Sequence, residues 1–127
     1  MRDLLFIAIG GAAGAVLRYL VAGWGQRLTD ASFPSGTLVV NLIGCLLIGL
    51  LASLLTGPFI VREEVRLGVL VGLLGGFTTF STFGLETLSL LEDREYGLAL
   101  VNVTLSNGMG LGGVWIGQRF AFLWHGG

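Results

Sequence analysis

Apolar residues along this chain gather into four long runs separated by short polar stretches. The runs cover about residues 4–23, 37–55, 67–91 and 97–123. Each is near the roughly 20 residues that a helix needs to cross the hydrocarbon of a bilayer. The pattern predicts an all-α integral membrane protein, a single domain over residues 1–127 with four transmembrane helices. The connections carry start and stop signals. Gly25 to Gly36 contains Arg27, Asp30, Pro34 and Ser35, and hands Ser35 or Thr37 to the second helix as an N-cap. Thr56-Gly57-Pro58 stops that helix, Arg62-Glu63-Glu64 reads as a solvated turn, and Glu92-Asp93-Arg94-Glu95 parts the third run from the fourth. Trp24, Tyr96 and Trp124 fall at predicted ends, where amphipathic rings prefer the headgroup zone.

The third run breaks the pattern. Its 25 residues would make a helix of about 37 Å, against roughly 30 Å of hydrocarbon. At its centre stands Gly75-Gly76-Phe77-Thr78-Thr79-Phe80-Ser81-Thr82-Phe83, with Glu86 one turn on. Paired glycines and clustered hydroxyls suit a lipid-facing helix poorly, and irregular backbone at membrane depth is tolerated only where protein buries it or water reaches it. The expectation is a break around Thr78–Ser81, giving two half-helices whose ends serve an ion or substrate.

Composition narrows the class. The chain is 54% hydrophobic and 12% charged, with a mean hydropathy of +0.86, which excludes an ordinary soluble domain. A net charge of −1 and the lack of any Lys/Arg run argue against nucleic acid. The 22 glycines fit helices packed closely through small residues; Gly10/Gly14, Gly68/Gly72/Gly76, Gly108/Gly112 and Gly113/Gly117 show the spacing. Cys45 is a small packing residue in an apolar run. Ala13-Gly14-Ala15 resembles a leader cleavage site, but Asp3 spoils a positive start and apolar sequence resumes at Tyr19; a retained helix is expected. With four spans, Arg2, Arg62, Arg66 and Arg119 share one side against Arg27 and Arg94, a small positive-inside bias that would permit insertion in both orientations.

Candidate chemistry lies inside the spans. Thr37, Asn41, Cys45 and Gly49 follow at i+4 on the second helix, and the Asn41 amide carries donors that suit an anion as well as an interhelical bond. Asn102, Ser106 and Gly110 make a similar track on the fourth. Arg18 and Glu86 are charges within spans, costly in lipid and therefore expected to face the bundle, a cavity or each other. Phe77, Phe80 and Phe83 recur at i+3; packing explains such a strip, but ring edges are positive and can also line the path of a small anion. With His125 the only histidine, neither a His-based metal site nor a catalytic triad is expected, and no enzyme signature appears.

These residues resemble the fluoride channels of the Fluc (CrcB) family along essentially the whole chain. The marks are Gly10-Gly11 with Arg18, Gly36-Thr37-Leu38-Val39-Val40-Asn41, and the Gly75 to Phe83 string with Glu86. The resemblance implies an antiparallel, dual-topology homodimer in the cell (inner) membrane, with two fluoride pores that export the anion passively. It implies pore walls from Asn41 and the Phe80 and Phe83 ring edges, with Thr37, Ser81, Thr82, Glu86 and Ser106 as further polar residues and Arg18 near an entrance. It also implies a central structural sodium ion held by the backbone carbonyls of Gly75 and Thr78. The chain departs from the family at Asn102 and Gly110, where a tyrosine and a serine are frequent, and at Gly84, where a serine is usual. A different class, the small multidrug-resistance exporter, would use Glu86 as an intramembrane proton carrier; a third reading is a structural subunit of a larger membrane complex.

Overall fold

Apolar periodicity gives way to near-continuous helix. In a computed structural model described over residues 1–125, the elements are α1 (Arg2–Gln26), α2 (Ser35–Leu55), α3 (Glu63–Leu67), a π-helical segment (Gly68–Leu73), α4 (Leu74–Phe77), α5 (Phe80–Glu92) and α6 (Tyr96–His125), with no strand among the described residues. Among the described residues, three stretches are long and apolar enough to cross a membrane: Arg2–Gln26, Ser35–Leu55 and Glu63–Glu92. α6 has 30 residues, but Asn102, Ser106, Asn107 and its glycines dilute its hydropathy.

Glycine sets the packing. A Cβ built on Gly10 would sit 2.2 Å from the Gly68 carbonyl oxygen, and one on Gly14 would sit 2.2 Å from that of Leu73. Gly72 and Gly76 press on α1 in return, at 2.6 Å from the Ile7 oxygen and 2.8 Å from the Gly11 oxygen. α1 and the third span therefore meet backbone to backbone. α2 and α6 form the other large seam, where a Cβ on Gly49 would meet the Val114 oxygen at 2.1 Å and one on Gly117 the Leu46 oxygen at 2.3 Å. Gly108 and Gly112, of the same spacing, face nothing within 4 Å in this chain.

Two local expectations change. Neither Ser35 nor Thr37 caps α2: Pro34 holds the cap position and no side-chain bond is made there. Ser35 instead donates its hydroxyl to the Gly25 carbonyl at 2.9 Å and accepts from Thr29 at 2.8 Å, tying the α1–α2 connection to the helix start. The break in the third span is also shorter than Thr78–Ser81. Only Thr78 (φ −85°, ψ 159°) and Thr79 (φ −149°, ψ 119°) are extended, and Ser81 lies in the first turn of α5.

α5 ends in a Schellman turn. The Glu95 N–H reaches the Leu90 carbonyl at 2.8 Å and the Arg94 N–H that of Leu91 at 3.1 Å. Arg94 takes the left-handed position that glycine usually fills, with φ 60°.

Candidate functional site

Three side chains hold the break open: Asn41, Thr79 and Arg18. Asn41, two turns into α2, donates from Nδ2 to the Thr79 carbonyl at 2.9 Å, and its Oδ1 accepts from the Thr79 N–H at 2.8 Å. The amide thus pairs with both backbone groups of a single residue, as a second strand would. In an unbroken helix the Thr79 N–H would bond the Gly75 carbonyl; here it is diverted to Asn41. One turn further the Thr82 N–H goes to the Thr79 hydroxyl at 3.2 Å, a cap that takes it from the Thr78 carbonyl. Between these, the Gly76 carbonyl accepts from Arg18 Nε at 3.1 Å. Gly75 and Thr78 are therefore carbonyls whose helical donors have been drawn to other acceptors, beside Phe77, whose helical donor, the Ser81 N–H, does not reach it. Oxygens of that kind suit a hard cation, and the residues fit such an ion.

Opposite ends of two helical segments meet here. The stack from Glu63 to Phe77 presents carbonyls, the negative end of its dipole, whereas α5 presents first-turn amides, the positive end. One Asn41 N–H remains for a further acceptor, because the amide carries two and only one is bonded to Thr79.

The expected site residues divide between two cavities on either side of this break. A groove of about 310 Å³ is lined by Asn41, Cys45, Gly75, Thr78, Thr79, Phe80, Phe83, Ser106 and Asn107, among others. Its two rings are tilted by 46° with centroids 5.7 Å apart, and Phe80 is 83% exposed. A larger cleft of about 670 Å³ holds Arg18, Thr37, Thr82 and Glu86, with Trp24, Arg27 and Thr79. Thr79 lines both. Ser81 lines neither and is exposed. Glu86 Oε1 is shut off from solvent with no hydrogen-bond partner among the described residues, an atom that calls for one.

The sequence did not announce the clamp, since an asparagine in an apolar helix gives no sign of its partner. It also did not announce the tie between Asn102 Nδ2 and Thr87 Oγ1 at 3.0 Å. Thr87 was not among the expected residues, and its only signal was a hydroxyl one turn past Phe83.

A family model described as CrcB-like protein, Camphor Resistance (CrcB), matches residues 5–118. Among curated relatives, a Fluoride-specific ion channel FluC from Geobacter sulfurreducens is 49% identical over 117 residues, covering 92% of this chain and 94% of the relative. Proteins of the same name from Rhizobium etli and Desulforapulum autotrophicum are 44% and 45% identical, over 92% and 91% of this chain and 94% and 93% of theirs.

Proposed function

Because the chain belongs to the CrcB-like family, we propose that it is a passive, fluoride-selective channel that exports cytoplasmic fluoride, and that the groove beside Asn41 is its conducting wall. It is a multi-pass membrane protein and not an enzyme. The observation that carries the reading is the Asn41–Thr79 clamp. It opens the helix and leaves an amide donor and two phenyl rings on one groove that no charged side chain lines. A small anion that accepts strong hydrogen bonds gains most from such donors, and the positive ring edges of Phe80 and Phe83 add to them. The transmembrane potential is worth about 2.3 kcal/mol per charge per 100 mV, enough to drive export without coupling.

In this reading α6 crosses the membrane as a fourth span, and the active unit is an antiparallel, dual-topology homodimer in the inner membrane. Exposed Gly75, Phe80, Ser81 and Asn107 support it, since glycine backbone and polar side chains at membrane depth need a covering surface. The carbonyls of Gly75 and Thr78 from two copies would hold a sodium ion, which supplies fixed charge at the centre of the assembly. Thr37, Thr82, Glu86 and Arg18 line the approach in the larger cleft, with Ser106 on the groove and Ser81 toward the second copy.

The test is efflux from liposomes holding the purified protein, read with a fluoride electrode, a potassium ionophore and a parallel chloride trace. Fast fluoride release without chloride release, lost in Phe80→Ile, is the expected result. Silence toward both anions from a folded protein refutes the reading. Proton-coupled transport abolished by Glu86→Gln would favour the exporter class instead.

A further inference from the structure

We infer that Asn102 is a positioning residue for the groove: through Thr87 it fixes the rotation of α5, and with it the direction in which Phe83 faces the ion path. The inference rests on the channel reading above. α5 is held mainly by α6 and only slightly by α2, so its rotation depends on few contacts. Asn102 is 2% exposed, the deepest polar side chain among the described residues. Its Nδ2 donates to Thr87 Oγ1 at 3.0 Å, and that hydroxyl donates to the Phe83 carbonyl at 2.7 Å.

A threonine bonded back to the carbonyl one turn earlier is common in helices and by itself positions nothing. The added donor from α6 changes that. The Thr87 hydroxyl has one proton, used on Phe83, so only its lone pairs face Asn102 and only the NH₂ of the amide fits there. The orientation of Asn102 follows, with Oδ1 turned toward Ser106 at 3.5 Å. That distance is too long to hold the Ser106 hydroxyl, which stays free to turn its proton into the groove it lines. The position where the resemblance expects a tyrosine thus carries a short amide that reaches the backbone of Phe83 through one hydroxyl.

Three variants test this: Asn102→Leu, Thr87→Val and the pair combined, with Thr87→Ser as the version that keeps the hydroxyl. Each single variant should lower fluoride efflux about tenfold, as expected for a broken buried hydrogen bond, and lower the fluoride-over-chloride ratio. The double variant should be no worse than either single, and Thr87→Ser should return efflux and ratio toward those of the parent. Amide hydrogen exchange in α5 should quicken in both singles while α1 stays unchanged. A lower thermal midpoint with an unchanged ratio and unchanged exchange in α5 would reduce Asn102 to a packing residue and overturn the inference, as would additive effects in the double variant. If the parent protein moves no fluoride the channel reading falls, and exchange in α5 alone decides the positioning role.

Discussion

Within the third span, the π-helical stretch Gly68–Leu73 lies against α1 while the break at Thr78–Thr79 lies against α2, and only the second releases backbone groups from the helix. The first is a matter of fit. Gly68 and Gly72 let α1 approach until a Cβ on Gly10 would overlap the Gly68 oxygen at 2.2 Å, and widening the helix to π geometry keeps its own hydrogen bonds. The second is a matter of exchange. Asn41 takes up both backbone polar groups of Thr79 and draws its N–H from the Gly75 carbonyl, while the Thr79 hydroxyl draws the Thr82 N–H from that of Thr78. Irregular backbone in a membrane helix thus serves two ends, and side-chain donors and acceptors tell them apart. Where only glycines meet, the irregularity packs helices; where an amide intervenes, it leaves carbonyls without their helical donors.

The comparison is broken most severely on the packing side. Gly14→Leu places a side chain where even a Cβ would lie 2.2 Å from the Leu73 oxygen. Neither backbone can retreat without parting the seam, so the cost should exceed about 3 kcal/mol. Loss of the monodisperse peak in size-exclusion chromatography is the expected outcome. Gly97→Ala, with nothing within 4 Å of its Cβ, is the control and should move stability by no more than helix propensity, roughly 1 kcal/mol. Next in size is Asn41→Asp. The carboxylate still accepts from the Thr79 N–H but turns a second acceptor on the Thr79 carbonyl, leaving that group unpaired at about 1–3 kcal/mol. Fluoride efflux should fall by more than about tenfold while the α1 seam, read by exchange at its amides, stays protected. If α1 loosens equally, the two irregularities are one unit and the distinction fails.

The two regions were unequally legible in the sequence. Gly75-Gly76 followed by clustered hydroxyls marks a break because its composition is foreign to a lipid-facing helix. Gly68-Val69-Leu70-Val71-Gly72-Leu73 reads as a plain apolar helix, and its π geometry follows from the approach of Gly10 and Gly14, which lie more than fifty residues earlier. Spacing within one helix shows which glycines share a face, not which helix they meet; Gly113/Gly117 met α2 while Gly108/Gly112 met nothing in this chain. For the same reason the polar residues read as one pore lining fell on two sides of the break. Arg18, Thr37, Thr82 and Glu86 gather in one cleft, and Asn41, Phe80, Phe83 and Ser106 in the other. Asn102 stood out in the polar track it shares with Ser106 and Gly110 and as a departure from the family pattern, but its partner Thr87 becomes visible only when α5 and α6 are placed side by side.

A smaller effect comes from the far end of α5, where Arg94 holds φ 60°. A side chain in the left-handed region costs about 1–2 kcal/mol, and part of that returns as lost chain entropy when glycine replaces it. Arg94→Gly should therefore stabilise the protein by about 1 kcal/mol or less, seen as a higher thermal midpoint with unchanged efflux. A fall in efflux would mean that the rotation of α5 is set from its C-terminal end and not from the break.

The smallest effect tests whether the break acts alone. Asp30, fully exposed in the α1–α2 connection, accepts at Oδ1 from the Ser32 N–H at 3.0 Å and from the Ser32 hydroxyl. These bonds favour the carboxylate and hold its pKa below the ordinary 3.8, the hydroxyl contributing most. With a folded value below the unfolded one, the contribution is fully present above pH 3.8 and is lost as the pH falls through the lower folded value. Ser32→Ala removes the larger of the two bonds, so the midpoint difference between parent and variant should be greatest near neutrality and shrink under acid. Water competes for every group in this turn, so the difference should be slight. Efflux at neutral pH should not change, because no part of the turn reaches the groove that Asn41 and Phe80 line. An efflux change as large as that of Asn41→Asp would mean that the connection steers the ion before the break does, and control of conduction would have to be moved from the clamp to the entrance.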